Sequence, residues 1–431
     1  RGVEGAPLSS QASHTSRQVP ASVMMPRLLL ILSVLALTVV GCVMIYSASI
    51  AEAASAVLTA TEENPAGDSG NALTYLTDQL LFVALGVAAA AVLWKFLPCS
   101  IWRGPMLWIV WGIAMALLVL TAVMGIAALG ATRWLTLGPI SLQPSEFAKI
   151  ALVLVAARLF SDYRDGTSSV RDMLVRAFVL IVIPVAIIFT TQSDLGTTVI
   201  IAVGILAVMW MGEAPLKLIG GICVLGLIFV VAATVFTGYR SDRMLFLNPW
   251  NDGEDGLGKG FQLIHSYYAF SEGGLFGLGL GNSREKFYLP EAETDFIFAV
   301  IGEELGMVGA LVVIALFLVL LYAGMRIAKA AADDFGAMVA GSCTLMLVFQ
   351  AFLNIGCVVG LLPTTGKPLP FVSSGGSSLI ATFIMVGLIL SVSKEAGGPS
   401  IYERRRADLR VVRSADSSPS VGRNGEAYRG R

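Results

Sequence analysis

The chain has 431 residues, of which 56% are hydrophobic and only 14% charged, with a formal net charge of -1 and a mean hydropathy of +0.77. A soluble chain carries about a quarter charged residues, so too few are present to coat an aqueous surface. Soluble enzyme, nucleic-acid module and fibrous protein are poor readings, and a polytopic membrane protein is left.

Ten apolar stretches follow one another and predict an all-α fold of ten transmembrane helices. They centre on 28–49, 76–97, 106–129, 145–160, 174–190, 196–211, 216–237, 296–327, 336–362 and 377–393. The first is too long for a signal-peptide core and has no small-residue cleavage site after it. Arg1 is no initiator, and Met24 or Met25 is the expected start, which leaves residues 1–23 as a disordered leader. Residues 24–393 form one membrane domain. Residues 394–431 are Arg-, Ser- and Gly-rich and read as a disordered basic tail.

Lysine and arginine placement sets the orientation. Arg17, Arg27, Lys95, Arg103, Arg158, Arg164, Arg171, Arg176, Lys217, Arg326, Lys329 and the tail arginines all fall on one side if both termini are cytoplasmic. The other side then receives the outer loops, including a long one between helices 7 and 8, residues 238–293. Five cysteines without a CxxC pair and two histidines, His14 and His265, give no basis for a zinc site or a disulfide framework.

With so little charge, the polar residues on the outer side stand out. The long loop carries Arg240, Arg243, Arg284, Lys286, and the run Leu289-Pro290-Glu291-Ala292-Glu293-Thr294-Asp295. A loop of that length invites a functional reading. Asp295 opens the eighth apolar stretch; an unbroken helix from there to Ile327 would span about 48 Å against a hydrocarbon core near 30 Å. Its first turns, with Glu303 and Glu304, are therefore expected above the bilayer or along a polar cavity. Thr294 or Asp295 as a plain N-cap is the commoner role, although a cap and a catalytic acid–base are compatible. Glu146 and Lys149, three apart, share one helix face and read first as a structural ion pair, with an intramembrane site as the sharper alternative. Asp194 is turn residue or cavity lining, and Lys367 a solvated loop charge or a site cation. Pro- and Gly-rich segments (Gly138-Pro139, Gln143-Pro144, Pro368-Leu369-Pro370, Ser373-Ser374-Gly375-Gly376-Ser377-Ser378) suggest together a cavity open to the outer leaflet.

These motifs resemble one family. Gly130-Ala131-Thr132-Arg133-Trp134, Gln143-Pro144-Ser145-Glu146-Phe147-Ala148-Lys149, Ser193-Asp194-Leu195-Gly196-Thr197, Leu289 to Phe298 and Leu369 to Ser378 are similar, in order, to segments of the SEDS (shape, elongation, division, sporulation) proteins. Asn282 to Pro290 and Ile301-Gly302-Glu303-Glu304-Leu305-Gly306 resemble the FtsW division branch more than the RodA elongation branch. The resemblance implies a peptidoglycan glycosyltransferase that polymerises lipid II at the outer face of the cytoplasmic membrane, with septal synthesis as its setting. It implies as partners a class B penicillin-binding transpeptidase and other divisome membrane proteins, and no nucleic acid. Asp295 falls on the family's essential aspartate. Arg133, Glu146, Lys149, Asp194, Arg240, Arg243, Lys286, Lys367 and Ser377 are the candidate substrate-binding residues. A divalent cation (Mg2+ or Mn2+) is a candidate aid to the departing pyrophosphate, and no organic cofactor is expected. Two departures are visible: Glu293 stands where the family usually has His, and Ser193 where Pro is frequent. A carboxylate at 293 is expected to raise the pKa of Asp295 by repulsion. A lipid II flippase is the rival from another class, since ten helices with intramembrane charge suit it too.

Overall fold

The computed structural model describes residues 21–58, 71–124, 126–128, 131–137, 140–236, 246–254 and 256–396. The leader, the basic tail, Arg240 and Arg243 lie outside the described residues, apart from the few leader and tail residues next to the membrane domain.

Thirteen α-helices and three short strands are found among the described residues. The long apolar helices are α1 (Ala21–Leu58), α2 (Ala72–Phe96), α3 (Pro105–Met124), α11 (Gly306–Lys329), α12 (Asp334–Val358) and α13 (Gly376–Glu395). A seventh runs from Val170 to Gln192 as α5 (Val170–Ala177), a π-helical turn and α6 (Ile183–Gln192). These seven are long and apolar enough to cross a membrane. Three other helices run beside them: α4 (Pro144–Arg164), α7 (Leu195–Met211) and α8 (Leu216–Phe236). Charge along α4 and the shortness of α7 keep both below the usual measure of a span.

Burial sorts the helices into a core and a lipid-facing shell. The apolar stretches of α12 and α13 are 83% buried, those of α2 and α3 only 22%. α12 packs on α7, α11 and α4, while α13 packs on α2 and α12, and α1 on α11. A helix that is apolar all round and buried belongs at the centre of a membrane bundle, and the small residues of α12 let its neighbours approach. The shell presents Leu28, Leu32, Leu35, Leu81, Leu85, Ile109, Ile113, Leu225 and Leu311 outward.

Three features correct the expectation of an all-α chain with plain loops. The apolar stretch 106–129 ends as helix at Met124, and β1 (Ile126–Ala128), β2 (Ala131–Leu137) and β3 (Ile140–Leu142) form an antiparallel meander. Its register pairs Ile126 with Trp134 and Thr136 with Ser141; Thr132, Trp134, Thr136 and Ile140 are residues that favour a pleated strand. Second, the long outer loop contains helix α9 (Phe261–Gly273). Third, the apolar stretch 296–327 is two helices, α10 (Ile297–Glu304) and α11, with Leu305 between them and Gly306 opening α11 at a left-handed φ of +68°.

Charge collects at the pole where α4 and α11 end. Arg103 bridges Asp165 (2.8 Å) and Asp333 (3.1 Å), Arg158 pairs with Asp162, and Arg164 with Asp334 (3.3 Å). Arg27 donates to Ser393 there. The opposite pole holds the cavity.

Candidate active site

At that opposite pole, helix ends and loops enclose a cavity of about 510 Å³. Its wall is assembled from distant sequence: Arg133 and Trp134 of β2, Gln143 before α4, Gln262 of α9, the turn Glu291–Phe296, the end of α12 at Asn354–Val358, Thr364–Pro368, and Ser374, Gly375 and Ser378 at the start of α13. The backbone here is held by the residues themselves. Asn354 Nδ2 donates to both Asp295 O and Lys367 O, each at 2.8 Å. Ser374 N donates to Glu293 O at 2.9 Å, and Ser373 Oγ to Thr294 O at 2.6 Å.

Asp295 sits in this wall and caps no helix. The residue at the α10 N-cap is Phe296, without a side-chain cap bond, and Asp295 lies in a turn closed by Phe296 N to Glu291 O at 3.2 Å. The common reading of Asp295 as a cap is thereby corrected. Burial, and after it the nearby Glu291 carboxylate, push its pKa up to about 6, against the pull of Lys367 and Arg133. The acid that lines the cavity beside it is Glu291, not Glu293. The Glu293 pKa is raised by burial and then by the charges of Glu52, Glu291 and Asp295, so the two acids do repel, although Glu293 does not line the cavity. Glu291 holds a left-handed φ of +58° and accepts from Thr294 Oγ1 at 2.7 Å. A non-glycine residue in that region is uncommon and clusters at functional sites.

Two cations share the wall. Arg133 donates to the carbonyls of Gln192 (2.9 Å) and Ser193 (3.0 Å) and pairs with no carboxylate among the described residues. Lys367, 3% exposed, is no solvated loop charge: it donates to Asp194 Oδ2 at 2.7 Å. Burial alone would lower its pKa, but Asp194 and Glu146 hold it above the ordinary lysine value, so it stays charged. Asp194 caps α7 through Thr197 N (2.9 Å) and Thr197 Oγ1 (2.8 Å).

The remaining candidates take other places. Glu146 and Lys149 pair at 2.6 Å, and Lys149 also donates to Gln350; both are fully buried and stand behind the cavity wall rather than in it. Lys286 does not reach the cavity either. Its three ammonium protons go to Gly281 O (2.8 Å), Ser47 Oγ (3.2 Å) and Glu304 Oε1 (3.3 Å). Glu303, next along α10, accepts from Ser283 Oγ and from the Arg284 N–H at 2.6 Å. Lys286, Glu303 and Glu304 thus fasten the outer loop onto α1 and α10. Ser377 accepts from Gln143 N at 3.0 Å and ties α13 to the start of α4, leaving Ser378 to face the cavity. Sequence reasoning did not name Trp134, Gln262, Glu291 or Asn354 as site residues; Trp134 and Glu291 lay within family motifs and Gln262 in the long polar loop, while Asn354 carried no signal. His265, paired with Glu285 and stacked on Tyr288, was also unforeseen. No group of three or more His, Cys, Asp or Glu side chains able to hold a metal occurs among the described residues.

The family model of the FtsW, RodA and SpoVE cell cycle proteins matches residues 27–397. A probable peptidoglycan glycosyltransferase FtsW of Geobacter metallireducens is 40% identical over 375 residues, 86% of this chain and 95% of its own. Stage V sporulation protein E of Bacillus subtilis is 38% identical over 378 residues, covering 86% and 97%. Among solved structures, one from a peptidoglycan synthase complex that coordinates polymerization and crosslinking aligns with a TM-score of 0.64 at 26% identity, over 85% of this chain and 97% of its own. The rod-shape-determining protein RodA of Thermus thermophilus aligns with a TM-score of 0.60 at 26% identity, over 85% and 96%. The chain belongs to the family of FtsW, RodA and SpoVE cell cycle proteins.

Proposed function

We propose that the chain is a peptidoglycan glycosyltransferase that polymerises lipid II, acting in septal synthesis through the cavity around Asp295. One observation carries this reading: a single cavity holds a carboxyl group with a pKa of about 6 beside two cations, Arg133 and Lys367. Glycan polymerisation needs both. The acceptor's GlcNAc 4-hydroxyl attacks C1 of the donor's MurNAc, the O4–C1 bond forms, and the C1–oxygen bond to undecaprenyl pyrophosphate breaks. Asp295 takes the hydroxyl proton. Inversion, from the α-linked pyrophosphate to a β-1,4 bond, fits one displacement without a covalent enzyme intermediate. Arg133, whose guanidinium has only neutral partners among the described residues, and Lys367 face the charge that develops on the leaving group.

A divalent cation would fit the two wall carboxylates, Glu291 and Asp295, since Mg2+ is commonly held by one or two carboxylates together with substrate phosphates. It would supply further charge neutralisation of the pyrophosphate.

In this reading the chain crosses the cytoplasmic membrane ten times with both termini cytoplasmic, α4, α7 and α8 adding to the seven clear spans. The charged pole with Arg103, Arg158 and Arg164 then faces the cytoplasm. A class B penicillin-binding transpeptidase would crosslink the strands beside it, among the other membrane proteins of the divisome. The flippase reading is less favoured: Lys149 is held by Glu146 and Gln350 behind the cavity wall, as a structural contact between α4 and α12.

The test is purified Asp295→Asn assayed for glycan polymer from lipid II in detergent, where no sidedness exists for flipping. Loss of about 100-fold or more in activity is expected of a missing general base. Full activity in the folded variant overturns the assignment.

A further inference from the structure

Between α9 and the α10–α11 junction runs a loop that is apolar and open. Leu275, Phe276 and Leu280 are exposed, Phe276 to 82%, and no charged residue occurs between Glu272 and Arg284. Its backbone is nevertheless well paired. Leu278 N donates to Glu303 O (2.9 Å) and Gly279 N to Glu304 O (3.0 Å), while Met307 N and Val308 N of α11 donate back to Gly274 O (2.9 Å) and Leu275 O (3.2 Å). Two glycines in left-handed conformation make this approach possible. A Cβ on Gly277 would stand 2.1 Å from Glu304 O, and one on Gly306 2.4 Å from Gly277 N.

Those bonds fix the depth of the loop. α11 carries Arg326 and Lys329 in its last turn. From Arg326 back to Gly306 the helix rises about 30 Å, the thickness of a hydrocarbon core. With Arg326 among the headgroups on one side, Gly306 and the loop bonded to it lie at the opposite boundary. The exposed Met307, Val308 and Leu311 of α11 continue the same surface into lipid.

We infer that residues 274–280 insert Leu275 and Phe276 into the outer leaflet at the headgroup–acyl boundary, as an interfacial anchor for the outer loop. Irregular backbone is tolerated near such depth where its polar groups find partners, and the bonds to α10 and α11 supply them for Gly274 O, Leu275 O, Leu278 N and Gly279 N. An exposed Leu–Phe pair on a charge-free loop is the composition of an interfacial anchor. The anchor is continuous with the clamp of Lys286, Glu303 and Glu304, so it holds the segment leading to Asp295 at a set height above the bilayer.

The experiment places bimane on Phe276→Cys in a chain whose less-buried cysteines, Cys42 and Cys223, are serine. The protein is reconstituted alone in phosphatidylcholine–phosphatidylglycerol vesicles, its fold judged by gel filtration, so the result does not depend on the enzymatic reading. Quenching by lipid carrying a doxyl group near the headgroup is expected to exceed that by aqueous iodide roughly threefold or more. A label on Glu254→Cys, an exposed acid of the same outer region, should show the reverse. Leu280→Cys is read in the same way and decides the matter should Phe276→Cys fail to fold. Iodide quenching without doxyl quenching overturns the anchor and leaves the loop as a water-facing surface for a protein partner.

Discussion

Lys367 and Asp194 form a buried ion pair at 2.7 Å at the edge of the cavity, with Glu146 Oε1 3.6 Å away on the far side of the ammonium. One lysine therefore joins the cap of α7, the first turn of α4 and the loop before α13. Removing one partner of a buried pair costs about 3–5 kcal/mol because the other charge is stranded. Lys367→Met should lower the thermal midpoint markedly. Adding Asp194→Asn should restore much of that stability and none of the polymerisation, if the ammonium also meets the leaving group. Recovery of activity along with stability would reduce Lys367 to a structural part.

The pH dependence follows from Asp295. It must be ionised to accept a proton, so kcat/KM should rise with pH and level off above an acidic limb near 6. Burial raises this value most, and the charges of Glu291, Lys367, Arg133 and Asp194 adjust it. Glu291→Gln removes the repelling charge, and the limb should move to lower pH. A pH–rate profile that stays in place in this variant would separate Glu291 from the acid–base chemistry.

Stability should move the other way. A carboxyl whose folded pKa lies above its unfolded value stabilises fully below about pH 4 and loses that contribution as pH rises through about 6. At neutral pH the buried charge is a penalty of about 3 kcal/mol, taking roughly two pKa units at the standard conversion. Asp295→Asn should accordingly melt higher than the parent at pH 7.5, with the gap closing by pH 4. Equal midpoints at pH 7.5 would mean that the carboxylate is well solvated or well paired in the fold.

Lys286 offers a prediction of a different kind. Its ammonium is fully engaged with Ser47, Gly281 and Glu304, so it binds the protein and not the substrate. Lys286→Met should raise hydrogen exchange at residues 281–289 about tenfold or more, since an unmatched Glu304 loosens the loop. KM for lipid II should change less than exchange does. A selective rise in KM with unchanged exchange would return Lys286 to the substrate site.

Most helices were legible because apolar runs between Gly, Pro and charge report burial in lipid directly. The ranges 76–97, 145–160, 196–211 and 377–393 fall on α2, α4, α7 and α13 within a few residues. The break at Gly306 was hidden, since Phe296 to Met325 has no charge apart from two glutamates and a glycine inside a helix is usually tolerated. The meander at 126–142 was missed where an apolar run passed from helix into strand, which periodicity resolves poorly over so few residues. In the site, Asp295 was found by motif, and its surroundings were not: Asn354 lies 59 positions away in a helix whose polar residues look like ordinary bundle contacts. Glu293 was singled out as the second acid, whereas Glu291 of the same run is the one that lines the cavity with Asp295.

Asn354 gives its two amide protons to the backbone carbonyls of Asp295 and Lys367, both in the cavity wall. The acid and the cation are thus suspended from a single planar group at the end of α12, like two arms on one pivot. A rotation or slide of α12 would carry both together and keep their spacing while changing the depth of the pocket beneath them. Any event elsewhere in the membrane that shifts α12 reaches Asp295 and Lys367 at the same moment, through a part smaller than a sugar ring.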